Sequence, residues 1–209
     1  LLSSSMKSVG EVMAIGRSFP ESLQKAMRSL EIGLDGLDEV KKNINNKKLN
    51  KKNIISELKK PLADRLLLIA QALRLGNSVK EIYNASKVDK WFIEQIKRIV
   101  DKEIELKSKG LPKKPEEILK IKALGFSDKK ISQLCGLSED RIFDLRKKNK
   151  IFPDFKRIDT CAAEFKSMTP YMYSTYSKNY LNGDTCESNP SSKKKVIILG
   201  SGPNRIGQG

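Results

Sequence analysis

The sequence contains no histidine, three cysteines and few aromatic residues, and each shortage removes a class of protein from consideration. Without histidine, neither histidine-dependent acid–base catalysis nor histidine-ligated zinc is available to this chain. The cysteines, Cys135, Cys161 and Cys186, are too few and too scattered for a disulfide framework, and they lack the spacing of metal ligands. Because aromatic residues make up only 6% of the chain, its core should be aliphatic and mainly helical.

The sequence also lacks an apolar run long enough to cross a lipid bilayer. Its longest clean run, LLLIA at 66–70, has five residues, whereas a spanning helix needs roughly 20. The opening residues do not resemble a signal peptide, so we expect an intracellular protein without a membrane partner. Because the first residue is leucine rather than methionine, we also expect a piece of a longer protein.

Acidic residues are the minority among the charged ones. There are 25 of them against 41 lysines and arginines, which gives a formal net charge of +16. Such an excess is typical of proteins that bind nucleic acids, anionic membranes or anionic substrates. The stretch KKNINNKKLNKKN at 41–53 favours a simpler interpretation, in which a compositional bias for lysine and asparagine fills solvent-exposed positions.

Capping signals predict a helix near the start of the chain. Ser18 is followed three residues later by Glu21, which is the pattern of a reciprocal capping box. Apolar side chains then fall on one helical face: Leu23, Ala26, Met27 and Leu30. Gly33 and Gly36 should end this helix and begin a polar, lysine-rich connection that continues to residue 60.

Helical periodicity dominates residues 60–150. The first helix of this block should bury one apolar face: Leu66, Ile69, Ala70 and Leu73. It should end at Gly76, and Ser78 should cap the next helix. Further helices are predicted at 89–110, 116–124, 127–135 and 138–148. Since no segment of the block alternates apolar and polar residues with period two, we predict a mainly α fold with an all-helical central domain.

The composition changes after residue 151. Proline, glycine, asparagine and serine punctuate short apolar pieces, which predicts an extended linker that packs against another surface. Four of the five tyrosines lie within one ten-residue stretch of this segment: Tyr171, Tyr173, Tyr176 and Tyr180. Their clustering is equally consistent with a docking surface and with an ordered linker.

Residues 126–150 have the spacing of a helix-turn-helix, in which two short helices meet at the sequence CGLS. The second helix carries a group of cations: Arg141, Arg146, Lys147 and Lys148. Together with the net positive charge, they make a basic DNA-binding protein the alternative function. Against it, Glu139 and Asp140 occupy the first turn, where contacts with phosphates and bases would require donors. These carboxylates suit the helix dipole instead.

The last residues combine a strand-like run with a glycine-rich loop. Val196 to Leu199 should form a short buried strand, and Gly200-Ser201-Gly202 begins like a dinucleotide-binding turn. The third glycine of that fingerprint is replaced by Arg205, and Pro203 removes a backbone donor. The loop also lacks the Gly-Lys-Ser/Thr of a Walker motif. What remains is a tight turn that presents Arg205.

A short stretch near the other end, MKSVGEVMAIGR at 6–17, holds two charges in mostly apolar, glycine-containing surroundings. The charges are Glu11 and Arg17. Such a composition is typical of backbone packed beside an internal cavity, and it also suits a buried structural ion pair between the two side chains. The residues alone leave both interpretations open.

Four motifs in this order resemble one enzyme family. They are MKSVGEVMAIGR (6–17), KRIDTCAAEF (156–165), YMYSTY (171–176) and GSGPNRIGQG (200–209). Together they resemble the large subunit, or synthetase region, of carbamoyl-phosphate synthase over essentially the whole chain. In that family two homologous ATP-grasp halves flank a helical oligomerisation domain. The resemblance implies a ligase that makes carbamoyl phosphate from bicarbonate, glutamine-derived ammonia and two ATP, for pyrimidine or arginine biosynthesis.

The resemblance also implies a division of the chain. Residues 1–33 would end the carboxyphosphate-synthetic half, and residues 34–152 would form the helical oligomerisation domain. Residues 153–192 would be an extended linker. Residues 193–209 would supply the first strand and glycine-rich loop of the carbamoyl-phosphate-synthetic half. The piece alone is expected to be inactive.

Candidate site residues follow from the same resemblance. Glu11 and Arg205 match polar residues that line a carbamate tunnel in the family, and Gly209 matches a small residue at a constriction of that tunnel. A guanidinium would stabilise the carbamate anion, and a nearby carboxylate would keep the anion from being trapped. ATP and Mg²⁺ or Mn²⁺ would bind elsewhere in the parent enzyme. No catalytic, cofactor-binding or metal-binding residue is expected in this chain.

The partners implied by the resemblance are proteins. A glutaminase, either a separate small subunit or a fused domain, would supply ammonia, and the helical domain would bind a second copy of itself. Neither a nucleic acid nor a membrane is an expected partner. The expected location is the cytoplasm, with the mitochondrion as the alternative for some eukaryotic members.

Overall fold

Helices dominate the chain in the computed structural model, which describes residues 12–40, 43–44, 47–176 and 186–198. These residues contain eight helices: α1 (Phe19–Ser29), α2 (Asn53–Leu58), α3 (Arg65–Arg74), α4 (Val79–Ser86), α5 (Lys90–Lys109), α6 (Pro115–Ala123), α7 (Asp128–Cys135) and α8 (Glu139–Lys148). Four short strands accompany them: β1 (Asn43–Ile44), β2 (Lys47–Lys48), β3 (Asp154–Arg157) and β4 (Met172–Thr175). The predicted mainly α fold is confirmed.

The longest helix, α5, forms the centre of the core. It contacts α1, α3, α4 and α7, and its inward face is made of fully buried isoleucine and valine side chains: Ile93, Ile96, Ile99 and Val100. These residues recur three and four positions apart, which is the period of one helical face. Phe126 is the one aromatic residue among the largest fully buried side chains in the described ranges. The prediction of an aliphatic core is therefore confirmed.

Local capping rules explain several helix ends. Ser78 and Glu81 form the complete capping box at the start of α4. At the end of α3, Gly76 takes a positive φ of 80°, and the backbone N–H groups of Gly76 and Asn77 donate to the carbonyls of Leu73 and Ala72. This is a Schellman motif, in which glycine adopts the left-handed conformation without a steric penalty. The predicted end of α3 at Gly76 is confirmed.

The buried face of α3 differs from the prediction at one position. Ile69, Ala70 and Leu73 are buried as expected, but Leu66 is 38% exposed and Leu68 takes its place in the core. The helix begins only at Arg65, so Leu66 lies in its first turn. The expectation that Leu66 is a core residue is wrong.

The predicted polar connection between residues 34 and 60 is wrong in part. Leu37, Leu49, Ile54 and Leu58 from this region are all buried in the core, and the last two lie on α2. The frequency of lysine and asparagine around these apolar residues hides a helix that is only six residues long. In this region tertiary packing outweighs weak local propensity.

Helix α1 packs onto the same core. Leu23 and Met27 join the buried cluster, and Phe19 makes edge-to-face ring contacts with Trp91 and Phe92 at the start of α5, at centroid distances of 5.5 and 5.2 Å. Aromatic rings prefer this geometry, because the positive edge of one ring meets the negative face of another. The first turn of α1 is thereby fixed against the first turn of α5.

The predicted linker after residue 151 contains an antiparallel hairpin. Strand β3 pairs with β4 in a register that places Asp154 opposite Thr175. Residues 158–171 separate the two strands, so periodicity does not reveal the pairing. Residues 196–198, predicted to begin a buried strand, form no strand, and their side chains are more than 80% exposed. A strand requires a pairing neighbour, and the described residues provide none here.

Candidate functional site

The three residues predicted to line a tunnel are Glu11, Arg205 and Gly209, and all three lie outside the described residues. Their roles stay predictions. The described segment that follows Glu11 begins at Val12 and leads into α1. Its attachment to the helical domain can be followed atom by atom, and this attachment is the candidate site that the structure offers.

We call this attachment the α1 junction. It consists of Glu21 and Lys25 on α1 together with the backbone and side-chain groups that they bind in 15–17 and in β4. The segment 15–17 precedes α1 directly, whereas β4 is separated from it by about 150 residues of sequence. The junction therefore ties together two segments that leave the helical domain in opposite directions along the chain.

Glu21 is the centre of the α1 junction. Its side chain is 2% exposed, and its Oε2 accepts hydrogen bonds from the backbone N–H of Arg17 at 2.7 Å and from the hydroxyl of Thr175 at 3.1 Å. Its Oε1 lies 2.9 Å from the ammonium group of Lys25. A buried carboxylate is tolerated only when donors and an opposite charge compensate it, and this one has both.

The same contacts correct the predicted capping box. Ser18 caps α1 by accepting a hydrogen bond from the backbone N–H of Glu21. The Glu21 carboxylate does not return to Ser18 but binds Arg17, one residue earlier. Only half of the predicted reciprocal box is present, because the carboxylate also reaches Thr175 on β4.

Lys25 duplicates the connection with a cation. Its ammonium group donates to the carbonyl of Ile15 at 2.8 Å and to the carbonyl of Ser174 at 2.5 Å. The ion pair with Glu21 provides its third partner, so all three donors of the ammonium group are used. The ammonium also lies 5.8 Å from the ring centroid of Tyr173, within the range of a cation–π contact.

Two glycines permit the close packing around Glu21. A Cβ on Gly125, in the turn between α6 and α7, would lie 2.9 Å from Cα of Glu21, and a Cβ on Gly16 would lie 2.9 Å from the backbone nitrogen of Ser22. Gly125 also has a φ of 93°, which favours glycine. Arg28 adds a hydrogen bond to the carbonyl of Gly125 at 2.8 Å. The first two turns of α1 are therefore in direct contact with the α6–α7 turn.

A second polar group, which we call the Asp128 cluster, lies beside the junction. It consists of Lys122, Asp128, Arg146 and Tyr176. Asp128 accepts from Nζ of Lys122 at 2.8 Å and from the guanidinium of Arg146 at 2.5 to 2.9 Å. The ring of Tyr176 covers both cations, with centroid distances of 5.0 Å to Lys122 and 5.7 Å to Arg146. The cluster thus joins α6, α7 and α8 to the residue that follows β4.

Burial shifts the titration of this cluster. Desolvation lowers the pKa of Lys122 to about 8, although the nearby Asp128 carboxylate opposes the shift. Burial acts to raise the pKa of Asp128, but the hydrogen bonds from Arg146 and the charge of Lys122 outweigh it and hold that pKa below its usual value. Burial raises the pKa of the Tyr176 phenol. Two cations share one carboxylate here, so the cluster carries excess positive charge when Lys122 is protonated.

A third network stabilises the interior of the helical domain. Glu103 on α5 binds the guanidinium of Arg74 at 2.6 to 2.9 Å, and Arg74 also donates to the carbonyl of Leu37. Lys130 bridges Glu103 and Asp38, at 3.5 and 2.5 Å. Burial opposes ionisation of Asp38, but its hydrogen bonds, chiefly from Lys130, lower its pKa overall. These contacts attach the 34–40 segment to α3, α5 and α7.

The helices proposed as a helix-turn-helix are present as α7 and α8, which pack against each other. Arg146, one of the four cations assigned to DNA binding, is instead buried against Asp128 and the carbonyl of Ile151. Arg141, Lys147 and Lys148 are exposed. A buried, paired arginine is a structural group rather than a phosphate contact, so this element is a helical hairpin of the domain.

Metal sites and membrane-spanning helices each require a recognisable arrangement of residues. In the ranges that the structure covers, no group of three or more Cys, Asp or Glu side chains is close enough to hold a metal ion. Within the same ranges, no helix combines the length and apolar character required to cross a bilayer.

The fold and the junction together define a class of protein: a helical scaffold module to which segments on both sides are tied by buried polar contacts. Residues 11–150 match the family model described as the carbamoyl-phosphate synthetase large chain, oligomerisation domain. The chain belongs to this family. The resemblance identified from the four sequence motifs is confirmed.

Curated relatives extend the match to the whole chain. It is 50% identical over 209 residues to the carbamoyl phosphate synthase large chain of Rhizobium meliloti (strain 1021), covering 100% of this chain and 18% of that protein. The corresponding protein of Vibrio cholerae serotype O1 is 50% identical over 209 residues, with 19% of its length covered. That of Pseudomonas aeruginosa is 47% identical over 210 residues. The chain spans less than a fifth of the length of these relatives. The comparisons give the DNA-binding alternative no support.

Sequence reasoning missed the central role of Glu21 in the junction. It assigned that residue only to the cap of α1, and its partner Thr175 is 154 positions away. The one available signal was the presence of a carboxylate four residues before Lys25, a spacing that permits an ion pair on one helix. Nothing in that spacing indicates burial or contact with β4.

Proposed function

We propose that this chain is the oligomerisation-domain region of a carbamoyl-phosphate synthase large chain, part of a ligase that makes carbamoyl phosphate from bicarbonate, glutamine-derived ammonia and two ATP. The observation that carries the proposal is the identity of 50% with a protein of that name over all 209 residues. This identity extends beyond the 11–150 range of the family model and includes the three motifs that follow residue 150. The region itself supplies scaffold and passage rather than chemistry.

The proposed division of the chain follows from the family. Residues 1–33 close the carboxyphosphate-synthetic half, 34–152 form the oligomerisation domain, 153–192 form the linker, and 193–209 begin the carbamoyl-phosphate-synthetic half. The main buried cluster draws most of its members from the second of these ranges, and Leu23 and Met27 of α1 join it from the first. The β3–β4 hairpin falls in the third range.

Glu11, Arg205 and Gly209 are proposed to line the carbamate passage. Carbamate is an anion, so the guanidinium of Arg205 would lower its free energy along the path. Glu11 would offset that attraction and let the anion move on. ATP and its Mg²⁺ or Mn²⁺ are proposed to bind in the ATP-grasp halves, outside this region.

The experiment that tests the proposal uses the full-length protein with its glutaminase, or with ammonia. The expected result is formation of carbamoyl phosphate with two ATP consumed per product. Glu11→Ala and Arg205→Ala should raise ATP consumption per carbamoyl phosphate while ATP hydrolysis itself continues. A wild-type protein that forms no carbamoyl phosphate would contradict the proposed activity. Normal stoichiometry in both variants would contradict the passage.

Self-association is the proposed property of the helical domain, with the glutaminase as the second protein partner and the cytoplasm as the location. Support comes from the description of the matching family model as an oligomerisation domain. Sedimentation velocity of the full-length protein over a range of concentrations tests this directly. A single monomeric species at all concentrations would exclude self-association.

A further inference from the structure

The α1 junction has a geometry that a helix cap or a simple ion pair does not require. Each of its two charged side chains touches both segments: Glu21 binds Arg17 and Thr175, and Lys25 binds Ile15 and Ser174. The two connections are parallel, one made by an anion and one by a cation. Loss of either side chain would leave the other without its opposite charge.

The α1 junction joins parts of the chain that are proposed to belong to different regions of the enzyme. Segment 15–17, like α1, lies within residues 1–33, the range proposed to end the first synthetase half, and β4 lies in the linker proposed to reach the second half. Both rest on the first two turns of α1, which is itself fixed to the α6–α7 turn by Arg28 and by the close approach of Gly125. Movement of one segment would therefore require rearrangement of buried charges.

We infer that Glu21 and Lys25 are positioning residues that lock segment 15–17 to strand β4 and so set the spacing between the two synthetase halves. This inference rests on the proposed function, because the spacing matters only if an unstable intermediate passes from one half to the other. Neither side chain touches a reacting group. Their effect is expected on the coupling of the two ATP-dependent steps rather than on either step alone.

The main experiment compares Glu21→Gln with the wild type in the full-length protein. Glutamine keeps the shape of the side chain but removes the charge that compensates Lys25. Since misplacement by about 1 Å can cost up to about a hundredfold in rate, we expect ATP consumed per carbamoyl phosphate to rise at least about threefold. Each ATP-dependent partial reaction, measured separately, should stay within about twofold of the wild type.

Glu57→Gln is the matched control. Glu57 is also a buried carboxylate, 7% exposed, and it pairs at 2.7 Å with a lysine that lies just beyond the end of its helix. Its partner is Lys60, three residues away, and this pair is more than 100 residues from β4 in the sequence. The control should lose stability without a change in the ATP-to-product ratio. An equal change in both variants would overturn the inference.

Thr175 provides a milder test in case Glu21→Gln fails to fold. Thr175→Val preserves the shape and removes the hydroxyl that donates to Glu21, whereas Thr175→Ser preserves the hydroxyl. We expect Thr175→Val to raise the ATP-to-product ratio and Thr175→Ser to restore it. Equal ratios in these two variants would overturn the inference.

Hydrogen exchange of the same full-length proteins separates this inference from the proposed function. In Glu21→Gln the amide of Arg17 and the amides of β4 should exchange about tenfold faster, while those of α5 should not change. If amide exchange becomes faster in Glu21→Gln but ATP consumed per carbamoyl phosphate does not change, the contacts are structural only and the inference about coupling is overturned. Unchanged exchange would exclude the lock itself. A wild type that makes no carbamoyl phosphate would refute the proposed function, and exchange alone would then decide whether the lock exists.

Discussion

The α1 junction and the Asp128 cluster hold adjacent residues of the same segment by different means. The junction binds Ser174 and Thr175 with one anion and one cation. The cluster covers its two cations with the ring of Tyr176, and these cations share a single carboxylate. Both sites thus hold the hairpin to the domain through buried polar contacts, but their charge balance differs. Only the cluster carries an excess of like charge, so only it should depend strongly on pH above neutrality.

The largest expected effect comes from removing the shared carboxylate of the cluster. Asp128→Ala leaves Lys122 and Arg146 buried beside each other without an anion, and it should cost about 3–5 kcal/mol of unfolding free energy. Urea unfolding of the chain measures this. The control is Asp101→Ala, which removes a pair whose side chains are about half exposed and should cost less than about 1 kcal/mol. Equal losses would show that the cluster is not an anchor.

The next effect tests the close packing at the junction. Gly125→Ala should destabilise the chain by about 3 kcal/mol, because a left-handed backbone and a collision with the backbone of Glu21 act together. Gly76→Ala provides the comparison, since Gly76 has a similar φ but open space around its Cα. It should cost only about 1 kcal/mol. A Gly125→Ala loss no larger than that of Gly76→Ala would contradict the tight contact of α1 with the α6–α7 turn.

A pH series sharpens the electrostatic part of the comparison. Lys122 has a pKa of about 8 in the folded chain against 10.5 as its ordinary value. Between these values the unfolded state binds more protons, so unfolding free energy should rise with pH, by up to about 1.4 kcal/mol per pH unit. The measured quantity is the unfolding free energy of the wild type minus that of Lys122→Met, from pH 7 to pH 10, and it should rise with pH. A difference that stays constant or falls over this range would contradict the shift.

The smallest effect concerns the hydroxyl of Tyr176. Tyr176→Phe keeps the ring over the two cations but removes the polar hydroxyl beside Arg146, which should cost about 1 kcal/mol. Tyr171, which is 67% exposed, supplies the control, and Tyr171→Phe should change stability by less than about 0.5 kcal/mol. Thermal unfolding of both variants in parallel would reveal whether the phenol contributes to the anchor.

The elements that sequence reasoning predicted correctly are those controlled by neighbouring residues. The capping box of Ser78 and Glu81 and the end of α3 at Gly76 depend on contacts within a few positions. Leu66 has the spacing of the buried face but is 38% exposed, because it lies in the first turn of α3, and the position of a helix end is less predictable than its period. Helix α2 was missed because six residues provide less than two full turns of periodicity.

The candidate site was less predictable than the fold. The contacts of Glu21 with Thr175 and of Lys25 with Ser174 join residues about 150 positions apart, and no local pattern encodes such pairs. The same holds for Arg146, whose position in a basic helix suggested phosphate binding although its side chain is buried against Asp128. The strand predicted to begin at Val196 failed for a related reason, since strand formation depends on a distant partner.

The aromatic contact between α1 and α5 has a practical consequence. Trp91 is the only tryptophan in the sequence, and its half-exposed ring lies against Phe19 at the start of α1. Detachment of α1 would expose the indole further to water, and its fluorescence emission would move to longer wavelength. The chain thus contains its own optical probe at the beginning of the helix that carries Glu21 and Lys25, and docking of that helix can be followed without an added label.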